Sequence, residues 1–156
     1  MADVSVTILD TASPMIRRMA ASTHDFTVPL GTAELYMFKS FRKQFTTSGK
    51  PKWLPLKAST IARRRKGPGI GPPKPLLDTG RLSRSYQGMS LGRDSKHLMQ
   101  RKQLIMGTNV IYGAVHQFGY PPKKIPARPL SFQPEDIKAL KLIIEHYIIR
   151  KAHGRP

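Results

Sequence analysis

The sequence predicts an α+β fold in which helices pack on a small antiparallel β-sheet. Residues 35–45 and 137–148 repeat apolar side chains every three or four positions, as amphipathic helices do. Between these helices lie short apolar runs at 82–89 and 104–107, separated by polar turn residues, which we interpret as a β-hairpin. Long helices with one small sheet are typical of a sheet covered by helices on one face. The chain has 156 residues, so we expect a single domain, 1–156, with one core.

The N-terminal part is predicted to be mainly helical after one short strand. Apolar and polar residues alternate over 4–8, which indicates that strand. Ser13 and Pro14 can start a short helix that runs to about Ala21. We expect Thr32 to cap a longer helix. Its apolar stripe, interpreted as core, consists of Leu35, Phe38, Phe41, Arg42 and Phe45.

The central part combines turn residues with strong positive charge. Residues 48–52 predict a turn, and 59–62 a short helix. Four prolines and three glycines lie within 67–75, which regular structure does not tolerate. We therefore expect an extended basic loop over 63–76. From Leu35 to Leu77 there are eleven basic residues and no acidic one.

The C-terminal part is predicted to hold two helices joined by a loop. Residues 110–119 form a short helix that ends at a glycine, and prolines fix the loop over 120–129. Glu135 and Asp136 suit the positive end of the final helix, which has Pro134 in its first turn. Its predicted buried face consists of Ile137, Leu140, Ile144, Tyr147 and Ile148.

Charge is the strongest compositional feature. The chain has 27 Lys and Arg against 9 Asp and Glu, a formal net charge of +18. Such a charge favours a polyanionic partner, which is a nucleic acid, an acidic protein surface or anionic lipid. The alternative is a basic surface that only aids solubility. No apolar run approaches the roughly 20 residues of a membrane span, and the first residues lack a signal-peptide pattern, so we expect no membrane association.

The sequence gives little sign of catalysis. There is no cysteine, and the five histidines are scattered without metal-ligand spacing. The acidic residues are too dispersed for a paired-carboxylate site. The alternating glycines of 67–71 are broken by prolines and do not match a dinucleotide fingerprint. We expect His116 to be a structural side chain, and the chain to be no enzyme, with no cofactor and no metal.

The basic loop supplies the candidate contacts to a negatively charged partner. Cations on such a loop can neutralise phosphates without reading sequence. No aromatic residue lies between Trp53 and Tyr86 to stack on bases, so a grip on an acidic neighbouring protein is an equal alternative. The candidate contacts to DNA or to an acidic partner are Arg63, Arg64, Arg65, Lys66 and Lys74.

Four motifs in a fixed order resemble the phage virion morphogenesis family, which includes tail completion proteins. They are Phe45 with Ser48-Gly49 before Trp53-x-Pro55-Leu56 and Thr60, Leu77-x-Thr79-Gly80-x-Leu82-x-x-Ser85, Gly107-Thr108-Asn109 before Tyr112–Gly119, and Ile125–Pro129. The resemblance covers about Phe41 to Tyr147. The third and fourth motifs are the most specific. The Gly113 inserted after Tyr112 is a small departure from the family pattern.

The resemblance implies a structural protein of the virion that is assembled in the host cytoplasm. Such proteins form a ring at the head-proximal end of the tail and make it competent to join the head. A hexamer or dodecamer is expected, with neck and tail proteins (tube, sheath or connector) and channel DNA as further partners. The alternative function is a basic nucleic-acid-binding protein that acts through Arg63–Lys66.

The expected contacts between subunits follow from the ring. An arm that reaches the next subunit can close a ring by head-to-tail contacts. Trp53 beside the arm is a candidate interface anchor, with an ordinary core tryptophan as the equal alternative. Arg128 is expected to form a fixed ion pair within or between subunits. Together with Arg63, Arg64, Arg65 and Lys66, these two residues make up the predicted interface.

Overall fold

A computed structural model describes residues 12–65, 72–88 and 93–154, and the strand predicted at 4–8 lies outside these ranges. Within them the chain combines helices with one antiparallel hairpin, so the predicted α+β class is confirmed. The elements in order are α1 (Ala12–Ser22), α2 (Thr27–Thr47), α3 (Ala58–Arg65), α4 (Arg81–Tyr86), β1 (Ser95–Gln100), β2 (Gln103–Thr108), α5 (Tyr112–Phe118), a 3-10 turn (Pro121–Lys123) and α6 (Pro134–Ala152).

Helix α2 begins earlier than the sequence indicates. The carboxylate of Asp25 accepts hydrogen bonds from the backbone N–H (2.8 Å) and the hydroxyl (2.6 Å) of Thr27. A negative charge at this helix end is stabilising. The predicted cap, Thr32, is wrong, because its hydroxyl donates to the carbonyl of Val28 inside the helix.

The face of α2 that enters the core is rotated from the predicted stripe. Leu35 is 62% exposed, and Arg42 is also exposed. Phe41 and Phe45 are buried as predicted. The error arises because apolar residues occur almost all round this helix, so spacing alone did not fix the buried side. The buried positions are Pro29, Ala33, Met37, Phe41, Gln44 and Phe45.

The predicted hairpin is correct in its second strand and wrong in its first. β2 covers the predicted run at 104–107, but its partner is β1, with Ser95 opposite Thr108 and Gln100 opposite Gln103. Residues 82–86 of the strand predicted at 82–89 belong instead to α4, and residue 89 lies outside the described ranges. In that helix the Ser85 hydroxyl donates to the carbonyl of Leu82, three residues back (2.8 Å). Such a short run fits a strand and a helical turn equally well, and packing on both strands and α2 decides for the helix.

The core lies where α2, α4 and the chain after α2 meet. Phe45 and Trp53 pack edge to face with ring centroids 5.8 Å apart, a favoured aromatic geometry. Leu76, Leu82 and Val110 complete the buried cluster, and Tyr86 and Leu130 pack against it.

Helix α6 packs on α1 and α2. It starts with a capping box in which Gln133 and Asp136 bond each other's backbone, so the predicted role of Asp136 at the helix start is confirmed. Ile137 is 61% exposed, which corrects its predicted burial, whereas Leu140, Ile144, Tyr147 and Ile148 are half-buried. Within the described residues, no helix has both the length and the apolar character needed to cross a membrane.

Candidate interaction surface

The four sequence motifs converge in space around α5 and the loop that follows it. The backbone N–H of Arg128 donates to the carbonyl of His116 (2.7 Å). The Gln117 side chain donates to the carbonyl of Leu130 (3.2 Å) and accepts from its N–H (3.0 Å). Ser85 of the second motif shares a 2.7 Å hydroxyl contact with Thr108 of the third. We call these motif residues and their contacts the motif cluster.

Two glycines allow this close packing. Gly119 has φ +80°, and a Cβ there would lie 3.0 Å from the backbone N of Ala127 and 3.1 Å from the carbonyl O of Ile125. A Cβ on Gly113 would lie 2.8 Å from Cγ2 of Thr108. A side chain at either position would push the motifs apart.

Trp53 and Arg128 belong to the interior of the chain. Trp53 is 6% exposed, and its indole N–H donates to the carbonyl of Pro129 (2.9 Å). Arg128 is also 6% exposed and donates to the carbonyls of Leu54 (3.0 Å) and Pro55 (3.3 Å). Within the described residues Arg128 has no acidic partner and bonds backbone carbonyls instead, so an ion pair between subunits stays a prediction. Trp53 matches the core alternative that the sequence left open.

Arg64 holds together the two ends of a short chain segment. Its guanidinium donates to the carbonyls of Lys74 (2.7 Å) and Leu77 (3.2 Å). Its Nε lies 3.5 Å from the carboxylate of Asp78, within ion-pair distance but without hydrogen-bond geometry. The ammonium of Lys74 donates to the carbonyl of Thr46 (3.2 Å). Both cations thus have partners inside the chain.

Of the three remaining candidate contacts, only the side chain of Arg63 belongs to the described residues. Arg63 is exposed on α3. Helix α3 continues to Arg65, so residues 63–65 of the predicted loop over 63–76 are helical, and residues 66–71 of that loop lie outside the described ranges. The side chain of Arg65 and all of Lys66 lie outside the described residues.

His116 is enclosed by cations. Burial lowers its pKa, and the positive charges of Arg128 and Arg64 lower it further. Its buried Nδ1 has no hydrogen-bond partner in the part of the chain that the structure describes. Both effects favour the neutral form of the imidazole.

Helix α5 leaves an apolar row on its outer side. Ile111, directly before the helix, is 94% exposed, and Phe118 at its end is 81% exposed. These residues are seven positions apart, so they lie on one face of the helix about 10 Å from each other. Ala114 lies between them and is also exposed. We call Ile111, Ala114 and Phe118 the α5 stripe. The sequence alone does not reveal this stripe, because an apolar helical period normally indicates core.

The acidic side chains of the described residues are all engaged within the chain. Of the nine acids in the sequence, seven remain once Asp3 and Asp10 are set aside as outside these residues. Each has a cation or a hydrogen-bond donor as partner. The same ranges hold 25 of the 27 Lys and Arg, because Lys66 and Arg155 fall outside. Most of this positive charge is therefore not neutralised by the chain itself.

No site for a metal ion emerges from the same ranges. Among the residues that are described, no three His, Asp or Glu side chains come together in a way that could hold one. The arrangement thus offers contact surfaces: the outward α5 stripe and a surplus of exposed cations.

Comparison with known proteins yields one family. The model of the phage virion morphogenesis family matches residues 9–148. The match includes all four motifs and extends beyond the 41–147 recognised from them. No curated protein and no solved structure gives a significant match.

Proposed function

Because the chain belongs to the phage virion morphogenesis family, we propose that it forms a homo-oligomeric ring at the head-proximal end of the tail. In this role it completes the tail and allows the head to join. Membership of the family carries the broader statement that the chain acts in assembly of a bacteriophage virion. The ring, its station and its neighbours are the proposal.

The observation that supports a ring is the α5 stripe. Phe118 is 81% exposed and Ile111 is 94% exposed. A protein surface that covers both would remove their apolar side chains from water, which favours association. In a closed ring every subunit presents the same surface to its neighbour, so one stripe per subunit forms one contact per interface. The motif cluster holds α5 rigidly behind the stripe, which lowers the entropic cost of association.

The rest of the proposal follows from the resemblance. The expected ring is a hexamer or dodecamer in the virion, assembled in the host cytoplasm, and it contacts tail tube, sheath or connector proteins. We propose a non-catalytic role with no cofactor. Trp53, Arg64 and Arg128 act by fixing the fold of each subunit, because their polar groups are used inside the chain.

Complementation tests this function. Phage that lack the gene for this chain are supplied with the wild-type chain or with the Phe118→Ala variant, and heads and tails are examined by negative-stain imaging. We expect separate heads and tails without the chain, joined particles with the wild type, and few joined particles with the variant. Joined particles in the absence of the chain would contradict the proposed function.

A matched control separates assembly from folding. Leu35 on α2 is 62% exposed and lies outside the four motifs, so Leu35→Ala removes a comparable exposed apolar side chain elsewhere. This variant is expected to restore joining fully. Equal loss with both variants would mean that the α5 stripe has no special role.

A further inference from the structure

The unneutralised cations include one group with a defined geometry. The guanidinium of Arg81 makes two 2.7 Å hydrogen bonds to the two carboxylate oxygens of Asp94. The carboxylate is only 13% exposed, whereas the arginine side chain is 51% exposed. Asp94 therefore fixes the orientation of the exposed Arg81 guanidinium. The Nη1 of Arg81 takes no part in this pair and has two N–H groups left to donate.

Two further arginines, Arg84 and Arg93, lie near the carboxylate of Asp94. The pKa of Asp94 is lowered first by its hydrogen bond from Arg81, and the positive charges of Arg81, Arg93 and Arg84 lower it further. Arg84 and Arg93 are exposed, and neither forms a salt bridge to a described acid. Only Arg81 bonds this carboxylate, so Arg84 and Arg93 leave a local excess of two positive charges. We call Arg81, Arg84 and Arg93 the arginine cluster.

A polar cleft adjoins the cluster. It has a volume of about 540 Å³ and extends from Arg81 at the start of α4 to His116 on α5. Arg64 and the hydroxyl-bearing Thr79 and Tyr112 also line it. The cleft therefore adds neutral hydrogen-bond donors next to the cluster.

We propose that the arginine cluster and its cleft bind the phosphate backbone of double-stranded DNA without reading its sequence. This goes beyond the ring, and it places the contact on α4 and the turn before β1 instead of on the basic run Arg63–Lys66 of the predicted loop over 63–76. Arg64 is unsuited to a mobile contact because it is bonded to Lys74 and Leu77.

Several physical features favour DNA over a second copy of the chain. The described residues hold seven acids, each with a partner in its own chain, against 25 Lys and Arg, so a second copy offers these arginines little negative charge. Duplex DNA carries one negative charge per about 1.7 Å of axis, so several arginines can be satisfied at once. Arg81 and Arg84 are three residues apart on a helix, with Cβ atoms about 5–6 Å apart, and can each meet a neighbouring phosphate. The planar guanidinium also matches phosphate oxygens in pairs.

A binding titration of the full chain with a labelled duplex of mixed sequence tests the proposal. The dissociation constant is measured by fluorescence anisotropy at about 50 and 200 mM salt for the wild type and for Arg84→Gln/Arg93→Gln. The salt effect is the ratio of the dissociation constants at the two salt concentrations. Each phosphate contact contributes a factor of about 3.5 to this ratio for a fourfold rise in salt, so loss of two contacts should make the ratio about 12-fold smaller. The control is Arg17→Gln/Lys138→Gln, which removes the same charge from α1 and α6 and should leave the salt effect unchanged.

Other outcomes would overturn the proposal. The proposal fails if the wild type does not bind the duplex at low salt. It also fails if both double variants lose the salt effect equally, because the attraction would then come from the overall positive charge of the chain and not from the arginine cluster. Binding of poly-glutamate but not of duplex, dependent on Arg84 and Arg93, would assign the cluster to an acidic protein instead. Sedimentation of each variant keeps this result distinct from failure of the ring, because Phe118→Ala should change assembly and leave the DNA salt effect per subunit intact.

Discussion

Removal of the Phe118 ring should weaken association of subunits and leave the subunit itself stable. Burial of a phenylalanine contributes about 1.5–3 kcal/mol, and an 81% exposed side chain still has most of this free energy available for a partner. Phe118→Ala should therefore cost about 1–2.5 kcal/mol per subunit contact, a roughly 5- to 60-fold weaker association. The free energy of unfolding of the subunit should change by less than about 0.5 kcal/mol, as for other surface changes.

Sedimentation velocity over a range of protein concentrations measures the association, and urea unfolding followed by circular dichroism measures the subunit. The mid-point of assembly should move to higher concentration for Phe118→Ala and stay in place for Leu35→Ala. The reasoning is refuted if both variants assemble like the wild type. It is also refuted if Phe118→Ala unfolds at a clearly lower urea concentration, which would mean that the Phe118 side chain is part of the core.

Three further predictions concern the motif cluster. Gly119→Ala should lower the free energy of unfolding by about 1–3 kcal/mol, because a Cβ conflicts with the φ of +80° and with the backbone of Ala127. The control Gly31→Ala should raise it by about 0.5–1 kcal/mol, because Gly31 lies inside a helix with open space around it. If Gly119→Ala proved the more stable of the two variants, this account would be refuted. Trp53→Phe should lower the free energy of unfolding by roughly 0.5–1.5 kcal/mol, because the carbonyl of Pro129 loses its hydrogen-bond donor; an unchanged urea mid-point would contradict this. The lowered pKa of His116 means that the unfolded chain binds more protons below about pH 6.5 than the folded chain, so stability should fall from pH 7 to about pH 5.5. His116→Gln should flatten that slope, and an unchanged slope would count against the burial argument.

The sequence predicted best where a single physical rule dominated. Pro134, Glu135 and Asp136 determine the start of α6 because a proline and negative charges favour only that end of a helix. Gly119 ended α5 as expected because its φ and its contacts exclude a Cβ. The recognition of the family from its four motifs is confirmed by the match of the family model over residues 9–148.

Prediction failed where two structures fit the same local pattern. Residues 81–86 suit a strand or one and a half helical turns, and tertiary contacts with α2 and the hairpin decided between them. The interior positions of Arg64 and Arg128 were also hidden, because charge is normally found at the surface and only distant backbone carbonyls make these two exceptions possible. The α5 stripe had the period of a core helix, and only its exposure reveals an outward face.

The charge distribution constrains how the chain can bind two kinds of partner, one at the α5 stripe and one at the arginine cluster. Copies of a chain with a net charge of +18 repel one another, and the described acids are engaged and offer no compensation across an interface. Contacts between copies must then depend on apolar burial such as that of Phe118, and added salt should strengthen them by screening the repulsion. A contact of the arginine cluster with DNA releases counterions and should weaken with salt. Self-association and DNA binding should therefore respond to salt in opposite directions, because burial drives the first and charge drives the second.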